Sequence, residues 1–156
     1  MNIFLFATEM IFTVKIKNLK DLEKLSKILV LFLQPNFYLT LEGELGAGKT
    51  TLTQLIAKNL GIKEKITSPS FTILQRYQIK NNYYLNHFDF FYLKNVNIND
   101  NLLAFQEFAV GNINIIEWPK KMPQLWKKEK HINLKIVKQS YRTRLITILI
   151  SYFDYS

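Results

Sequence analysis

An α/β domain is what this sequence predicts, with a mostly parallel sheet, antiparallel additions and helices on both faces. Three observations carry it. Strand-like and helix-like patterns alternate early, apolar β-rich runs pair up later, and a glycine-rich turn joins one apolar run directly to a helical pattern. The 156 residues fit one domain spanning 1–156, and 48% hydrophobic with 21% charged residues is what a soluble globular chain with a real core shows. No repeat, low-complexity tract or proline-rich linker divides it.

The opening MNIFLFATEMIF is apolar but has no preceding basic residue and no small-residue cleavage site, and it is too short to span a bilayer, so it is not read as a signal. A strand and then a helix start cleanly from Met10, which leaves residues 1–9 as either strand or an extension from an upstream start codon. IFTVKI at 11–16 alternates and predicts a peripheral strand. Asn18 with Asp21 three positions on forms a helix-start box, and Leu22, Leu25, Ile28, Leu29 and Phe32 recur at helical spacing over about three turns.

FYLTL at 37–41 has no clean alternation, as expected of a strand buried on both faces of a parallel sheet. It runs straight into the glycines of LEGELGAGKTTLTQ, residues 41–54. Beyond them Leu52, Leu55, Ile56 and Leu60 make an apolar helical face, and Gly61 is placed as a left-handed cap. TSPSFTILQRYQI at 67–79 begins as a polar turn and becomes a strand, answered after Lys80-Asn81-Asn82 by YYLNHFD, so the two predict a hairpin. NINDNLLAFQEF at 97–108 predicts a short helix capped near Asn99, INIIEW at 113–118 a buried strand, and Pro119 the first turn of a short helix. HINLKIV and RLITILI close the chain as strands.

The formal charge of +9 is nearly all lysine, spread thinly among isoleucine, asparagine, phenylalanine and tyrosine, which reads as compositional bias rather than a phosphate-binding patch. WKKEK at 126–130, the densest cluster, is a solvated face on this reading. The absence of cysteine excludes a disulfide framework and cysteine metal sites and suits a reducing compartment, with the cytoplasm as the default location and no membrane partner.

Gly43-Glu44-Leu45-Gly46-Ala47-Gly48-Lys49-Thr50 satisfies G-x-x-x-x-G-K-[ST] in full. Glycines permit positive φ and close backbone approach, so successive N–H groups turn inward and cradle phosphates at the positive end of the following helix. Lys49 is placed to reach the β- and γ-phosphates, Thr50 to ligate Mg²⁺, and Thr51 to approach the α-phosphate. The strand–turn–helix order makes this a nucleoside triphosphate site in a P-loop NTPase fold rather than a plain connecting turn.

Hydrolysis also needs a metal clamp and a group that positions water. Asp89 and Glu117, each ending an apolar run, are the candidate acids, because ligands bind outside the carboxyl ends of strands in open α/β sheets. His87 is a candidate to orient Asp89 or a phosphate, though a lone imidazole is more simply a hydrogen-bonded structural group. Trp118 reads equally as core cover or as an element of the site. TSPSFT offers four hydroxyls around a proline, and reads either as a strand entry or as a loop ordered by the γ-phosphate.

Taken in order, GELGAGKTT, TSPSFT, HFDFFYL and IIEWP make the chain resemble the TsaE (YjeE-type) P-loop ATPase family over roughly residues 10–150. The first motif is shared by many NTPases, while the other three at these spacings are specific to the family. The resemblance implies ATP binding and hydrolysis in tRNA modification, together with TsaB and TsaD, which place threonylcarbamoyl on the adenosine 3′ of the anticodon in tRNAs reading codons that begin with A. It implies ATPase activity that is weak alone and depends on those partners, with tRNA met through the complex. It also implies that Gly46 to Thr51 bind ATP, that Thr50 and Glu117 ligate Mg²⁺, that Asp89 is the second acid, that Trp118 lies near the nucleotide, and that TSPSFT is a switch-like loop. Two departures bear on partner contact: LAFQE puts Ala104 and Gln106 where relatives show glycine and an acid, and Lys120 and Lys121 replace Glu-Arg after EWP.

The alternatives are a small-molecule or nucleoside kinase and a nonhydrolysing ATP-dependent clamp between proteins. Kinases bring arginines over the transferred phosphoryl, and only Arg76, Arg142 and Arg144 are available here. A GTPase is disfavoured because no N-K-x-D or D-x-x-G element appears. No base-reading motif selects adenine, although Asn18 and the arginines of the last strand region are candidates to line the base.

Overall fold

The computed structural model describes residues 7–80, 82–93 and 98–153. Seven strands form one sheet in the order β1-β7-β6-β2-β5-β4-β3, where β1 is Ala7–Ile16, β2 Phe37–Glu42, β3 Leu74–Ile79, β4 Tyr83–Asp89, β5 Ile113–Glu117, β6 His131–Lys138 and β7 Arg144–Phe153. The central strands β6, β2, β5 and β4 run parallel, and the antiparallel additions stand at both edges, β7 and β1 on one side and β3 on the other. The parallel centre explains the unbroken apolar runs, since all of β5 and nearly all of β2 are buried.

Successive side chains of these strands point to opposite faces. Leu39, Leu41, Leu85, Ile113 and Ile115 pack on one face beneath α1 (Leu19–Val30) and α2 (Lys49–Asn59), while Tyr38, Phe88 and Ile116 pack on the other with Phe105 and Ala109 of α3 (Ile98–Ala109) and with Met122 and Trp126. Helices therefore cover both faces. Among the described residues, no helix is long and apolar enough to cross a membrane.

The local signals account for most element ends. Asn18 Oδ1 accepts from the Asp21 N–H at 3.1 Å, and Asp21 Oδ2 accepts from the Lys17 N–H at 2.9 Å, which satisfies two free amides at the start of α1. The apolar stripe of α1 is narrower than the spacing predicts: Leu25 and Leu29 are buried and Leu22 packs beside them, but Ile28 and Phe32 are exposed. Ile28 is turned about 100° from Leu29 around the axis, and Phe32 lies beyond the last helical residue, Val30. Gly61, at φ 82, caps α2 as expected. The β3–β4 hairpin forms with Asn82 at φ 65, while Asn81 of its turn lies outside the described residues.

The third helix begins at Ile98, so Asn99 sits in its first turn rather than capping it, and the position before the helix lies outside the described residues. Residues 1–6 of the questioned amino-terminal stretch also lie outside them, and β1 starts at Ala7. Pro119 opens a short 3₁₀ turn, Pro119–Lys121.

Candidate functional site

The β2 strand ends at Glu42, and the chain turns through Gly43 to Gly48 into α2. A Cβ on Gly43 would stand 2.8 Å from the Ile136 carbonyl oxygen and 2.9 Å from Ala47 Cβ, so only glycine lets the loop leave β2 against β6. Gly48 holds φ 108 at the start of α2, with no side chain capping the helix, which leaves the first-turn amides and the positive end of the helix for a ligand. Arg144 braces the loop from β7: its Nε donates to the Ala47 carbonyl at 3.0 Å and its Nη2 to that of Gly46 at 3.4 Å.

Lys49, the first residue of α2, is buried. Its Nζ donates to the carbonyls of Gly43 at 2.7 Å and Glu44 at 3.0 Å and lies 4.4 Å from the Trp118 ring centroid. Burial pulls its pKa below the usual lysine range, against the opposing pull of the Glu117, Asp89 and Glu44 carboxylates. An ammonium whose direct contacts among the described residues are carbonyl dipoles and a ring face, in a partly desolvated cleft, is set to receive an anion.

The carboxyl ends of three parallel strands bring the acids to this lysine. Asp89 of β4 and Glu117 of β5 are register neighbours, and Glu117 in turn lies opposite Leu41 of β2. Thr50 Oγ1 donates to Glu117 Oε1 at 2.9 Å, and the same oxygen is 2.9 Å from His87 Nε2. Asp89 is held from the other side: Ser68 and Ser70 hydroxyls donate to its Oδ2 at 2.8 and 2.6 Å, and the Phe91 N–H donates to Oδ1 at 2.9 Å. A cleft of ≈ 220 Å³ opens between these groups, lined by Gly46, Gly48, Thr51 and Trp118 among others.

The donor set fits Mg²⁺. A hydroxyl and a carboxylate are hard oxygen ligands, and an ion that keeps most of its water needs only one or two from the protein when phosphates supply the rest. Thr50 Oγ1 and Glu117 Oε1, brought together by their 2.9 Å hydrogen bond, are the protein oxygens that would hold it.

Of the residues singled out in the sequence, Leu45, Gly46, Gly48, Lys49, Thr50, Thr51, Asp89, Glu117 and Trp118 share this cleft. Gly43 and Glu44 line a neighbouring groove of ≈ 500 Å³ beside Lys120, Lys121, Lys135 and Lys138, and Ala47 faces a third opening. That third opening, ≈ 460 Å³, joins Asn18, Arg142 and Arg144 to Gly48 and Thr51, the arrangement suggested for a base pocket. His87 meets Glu117, not Asp89 or an exposed phosphate position. Lys120 pairs with Glu42 at 2.8 Å and Lys121 donates to the Phe91 carbonyl, so both departures from the motif stand at the rim of the site, whereas Ala104 and Gln106 are exposed on α3.

The serine pair gripping Asp89 and the wall formed by Phe91 were missed as individual roles. TSPSFT marked the loop, but its partner could be found only once β4 was placed beside it. Trp118 sits at φ 58, ψ 50, a left-handed conformation uncommon for a non-glycine residue, and no sequence signal announces it.

A glycine loop between a central parallel strand and a helix, with one acid at the end of the adjacent strand β5 and another at the end of β4 beyond it, defines a P-loop NTPase fold. Residues 16–146 match the family described as "Threonylcarbamoyl adenosine biosynthesis protein TsaE", and the chain belongs to that TsaE family. It is 34% identical over 130 residues to the tRNA threonylcarbamoyladenosine biosynthesis protein TsaE of Rickettsia felis, covering 81% of this chain and 74% of that one. It is 33% identical to the protein of the same name from Rickettsia typhi, covering 79% and 85%. The crystal structure of YdiB from Bacillus subtilis superposes with a TM-score of 0.71 at 25% identity, covering 92% of this chain and 87% of that one.

Proposed function

We propose that this chain is the ATPase subunit of the machinery that forms threonylcarbamoyladenosine 3′ of the anticodon in tRNAs reading codons that begin with A. It binds and hydrolyses ATP with Mg²⁺ in complex with TsaB and TsaD, in the cytoplasm. The observation that carries the reading is the contact of Thr50 with Glu117 at the foot of the glycine loop, which joins a phosphate cradle to a carboxylate.

The loop amides and Lys49 bind and orient the phosphates, and Lys49 exchanges its two loop carbonyls for phosphate oxygens. Thr50 and Glu117 would hold Mg²⁺, which would supply positive charge to offset that of the phosphates. On this reading Asp89, held by the Ser68 and Ser70 hydroxyls, orients the attacking water, and Trp118 packs its ring against the lysine. The kinase alternative loses ground because Arg144 is committed to the loop carbonyls and Arg76 to Asn86 and the Tyr84 ring.

The test is Mg²⁺-dependent ATP hydrolysis by the purified chain, alone and with TsaB and TsaD from the same organism. Stimulation by the partners that is lost in Lys49→Ala supports the proposal, whereas ATP binding with no response to the partners moves the kinase or clamp ahead. Glu117→Ala separates a clamp from an ATPase. Hydrolysis should fall on the order of 10²-fold, as for loss of one preorganised transition-state group, with partner binding kept; unchanged turnover would sink the role given to Glu117.

A further inference from the structure

We infer that His87 is a positioning residue for the metal site, retained to hold the Glu117 carboxylate rather than to complete the core. The inference rests on the reading that Thr50 and Glu117 bind Mg²⁺.

His87 stands on β4, fully buried at 0% exposure, with Ile115 of β5 as its register neighbour. Its Nε2 is 2.9 Å from Glu117 Oε1. A carboxylate has no proton to give, so Nε2 carries the hydrogen and donates. Glu117 Oε1 then receives two donors, the His87 N–H from inside the sheet and the Thr50 hydroxyl from the helix. The two come from different elements, β4 and α2, so together they hold Oε1 from two sides.

The other ring nitrogen shows that packing alone does not account for this residue. His87 Nδ1 is buried and has no hydrogen-bond partner among the described residues. A buried polar atom left unpaired costs stability, and a leucine or phenylalanine at the same place would carry no such cost. Imidazole is the side chain that sends one N–H to Glu117 at the expense of an orphaned second nitrogen. Partners of this kind, which touch a metal ligand and not the metal, hold the ligand in its binding orientation.

Three variants distinguish positioning from packing. His87→Phe keeps a ring and removes the donor. His87→Gln places an amide N–H near the Nε2 position. His87→Asn is too short to reach Glu117 and stands in for the phenylalanine variant should that one fail to fold. Calorimetric titration of ADP, in EDTA and then over a Mg²⁺ series, gives a metal-free nucleotide affinity and the Mg²⁺ concentration that half-saturates the metal-dependent gain.

The inference expects His87→Phe, or His87→Asn in its place, to need at least about tenfold more Mg²⁺, the lower end for loss of such a partner. Affinity for ADP in EDTA should stay within about twofold, and His87→Gln should recover most of the metal response. It is overturned if the phenylalanine and asparagine variants keep the wild-type Mg²⁺ requirement, if they lose as much ADP affinity in EDTA as in Mg²⁺, or if the glutamine variant is as impaired as they are. A wild-type chain whose ADP binding ignores Mg²⁺ would overturn the Thr50–Glu117 metal site itself, and His87's role with it.

Discussion

Lys49 stands between two demands on one charge. Burial disfavours its ammonium and lowers its pKa, while three carboxylates around it oppose that shift only in part. For a base whose folded pKa is depressed, the cost falls on the folded state at pH values below that pKa, where the group is charged, and lifts as pH rises through it. Bound phosphate reverses the preference by stabilising the ammonium, so nucleotide binding takes up protons once the free lysine has begun to deprotonate. Affinity for ADP should therefore weaken as pH rises through a range that begins below the ordinary lysine value of 10.5. Dissociation constants measured from neutral to alkaline pH test this, and Lys49→Arg should flatten the decline, because guanidinium stays charged throughout. A wild-type affinity that holds constant up to the ordinary lysine range would show that Lys49 meets no phosphate charge.

At the scale of the element, the loop from Thr67 to Ile73 packs its serines onto Asp89. It is tied at one end by Ser68 and Ser70 to Asp89, and at the other by the Asp89 N–H, which donates to the Ile73 carbonyl at 2.9 Å. Ile73 itself sits at φ 67, a strained conformation for a β-branched residue, so the loop closes on Asp89 against a backbone cost of about 1–3 kcal/mol. Two hydroxyl-to-carboxylate bonds, each contributing about 1.5–3 kcal/mol as bonds to a charged group do, offset it. Removing them in Ser68→Ala/Ser70→Ala should release the segment while the core persists. Amide hydrogen exchange across 67–73 should rise by about tenfold or more, the ratio expected for at least 1.4 kcal/mol of lost closing energy, with exchange in β2 and β5 unaltered. Unchanged protection in the loop would mean that Asp89 does not hold it.

At the scale of the molecule, the chain's local patterns made the parts legible and left their assembly open. The P-loop motif, the Asn18 cap, the buried runs of β2 and β5 and the hairpin each depend on residues close in sequence, so they could be read directly. The strand order depends on which crossovers bring distant runs together; the pairing of Asp89 with Glu117 comes from the β4–β5 register, which no local pattern encodes. His87 illustrates the difference. Two positions from Asp89 along a strand, it pointed by sequence to that neighbour, yet the adjacent strand supplies Glu117 instead. The same assembly makes the cleft a meeting point of the β2–α2 loop, β4, β5 and the serine loop, so a ligand there binds only when all four are in place. Nucleotide binding must then stabilise the whole fold. At 100 times its dissociation constant a ligand adds about 2.7 kcal/mol, which at roughly 2–4 °C per kcal/mol for a domain of this size raises Tm by about 5–10 °C. Mg²⁺ with ADP should produce that shift in the wild-type chain. Lys49→Ala should lose most of it at the same ADP concentration, with a smaller change in Tm when nucleotide is absent. If ADP raised both melting temperatures equally, Lys49 would make no contact that nucleotide binding depends on, and the phosphate-binding role given to it would fall.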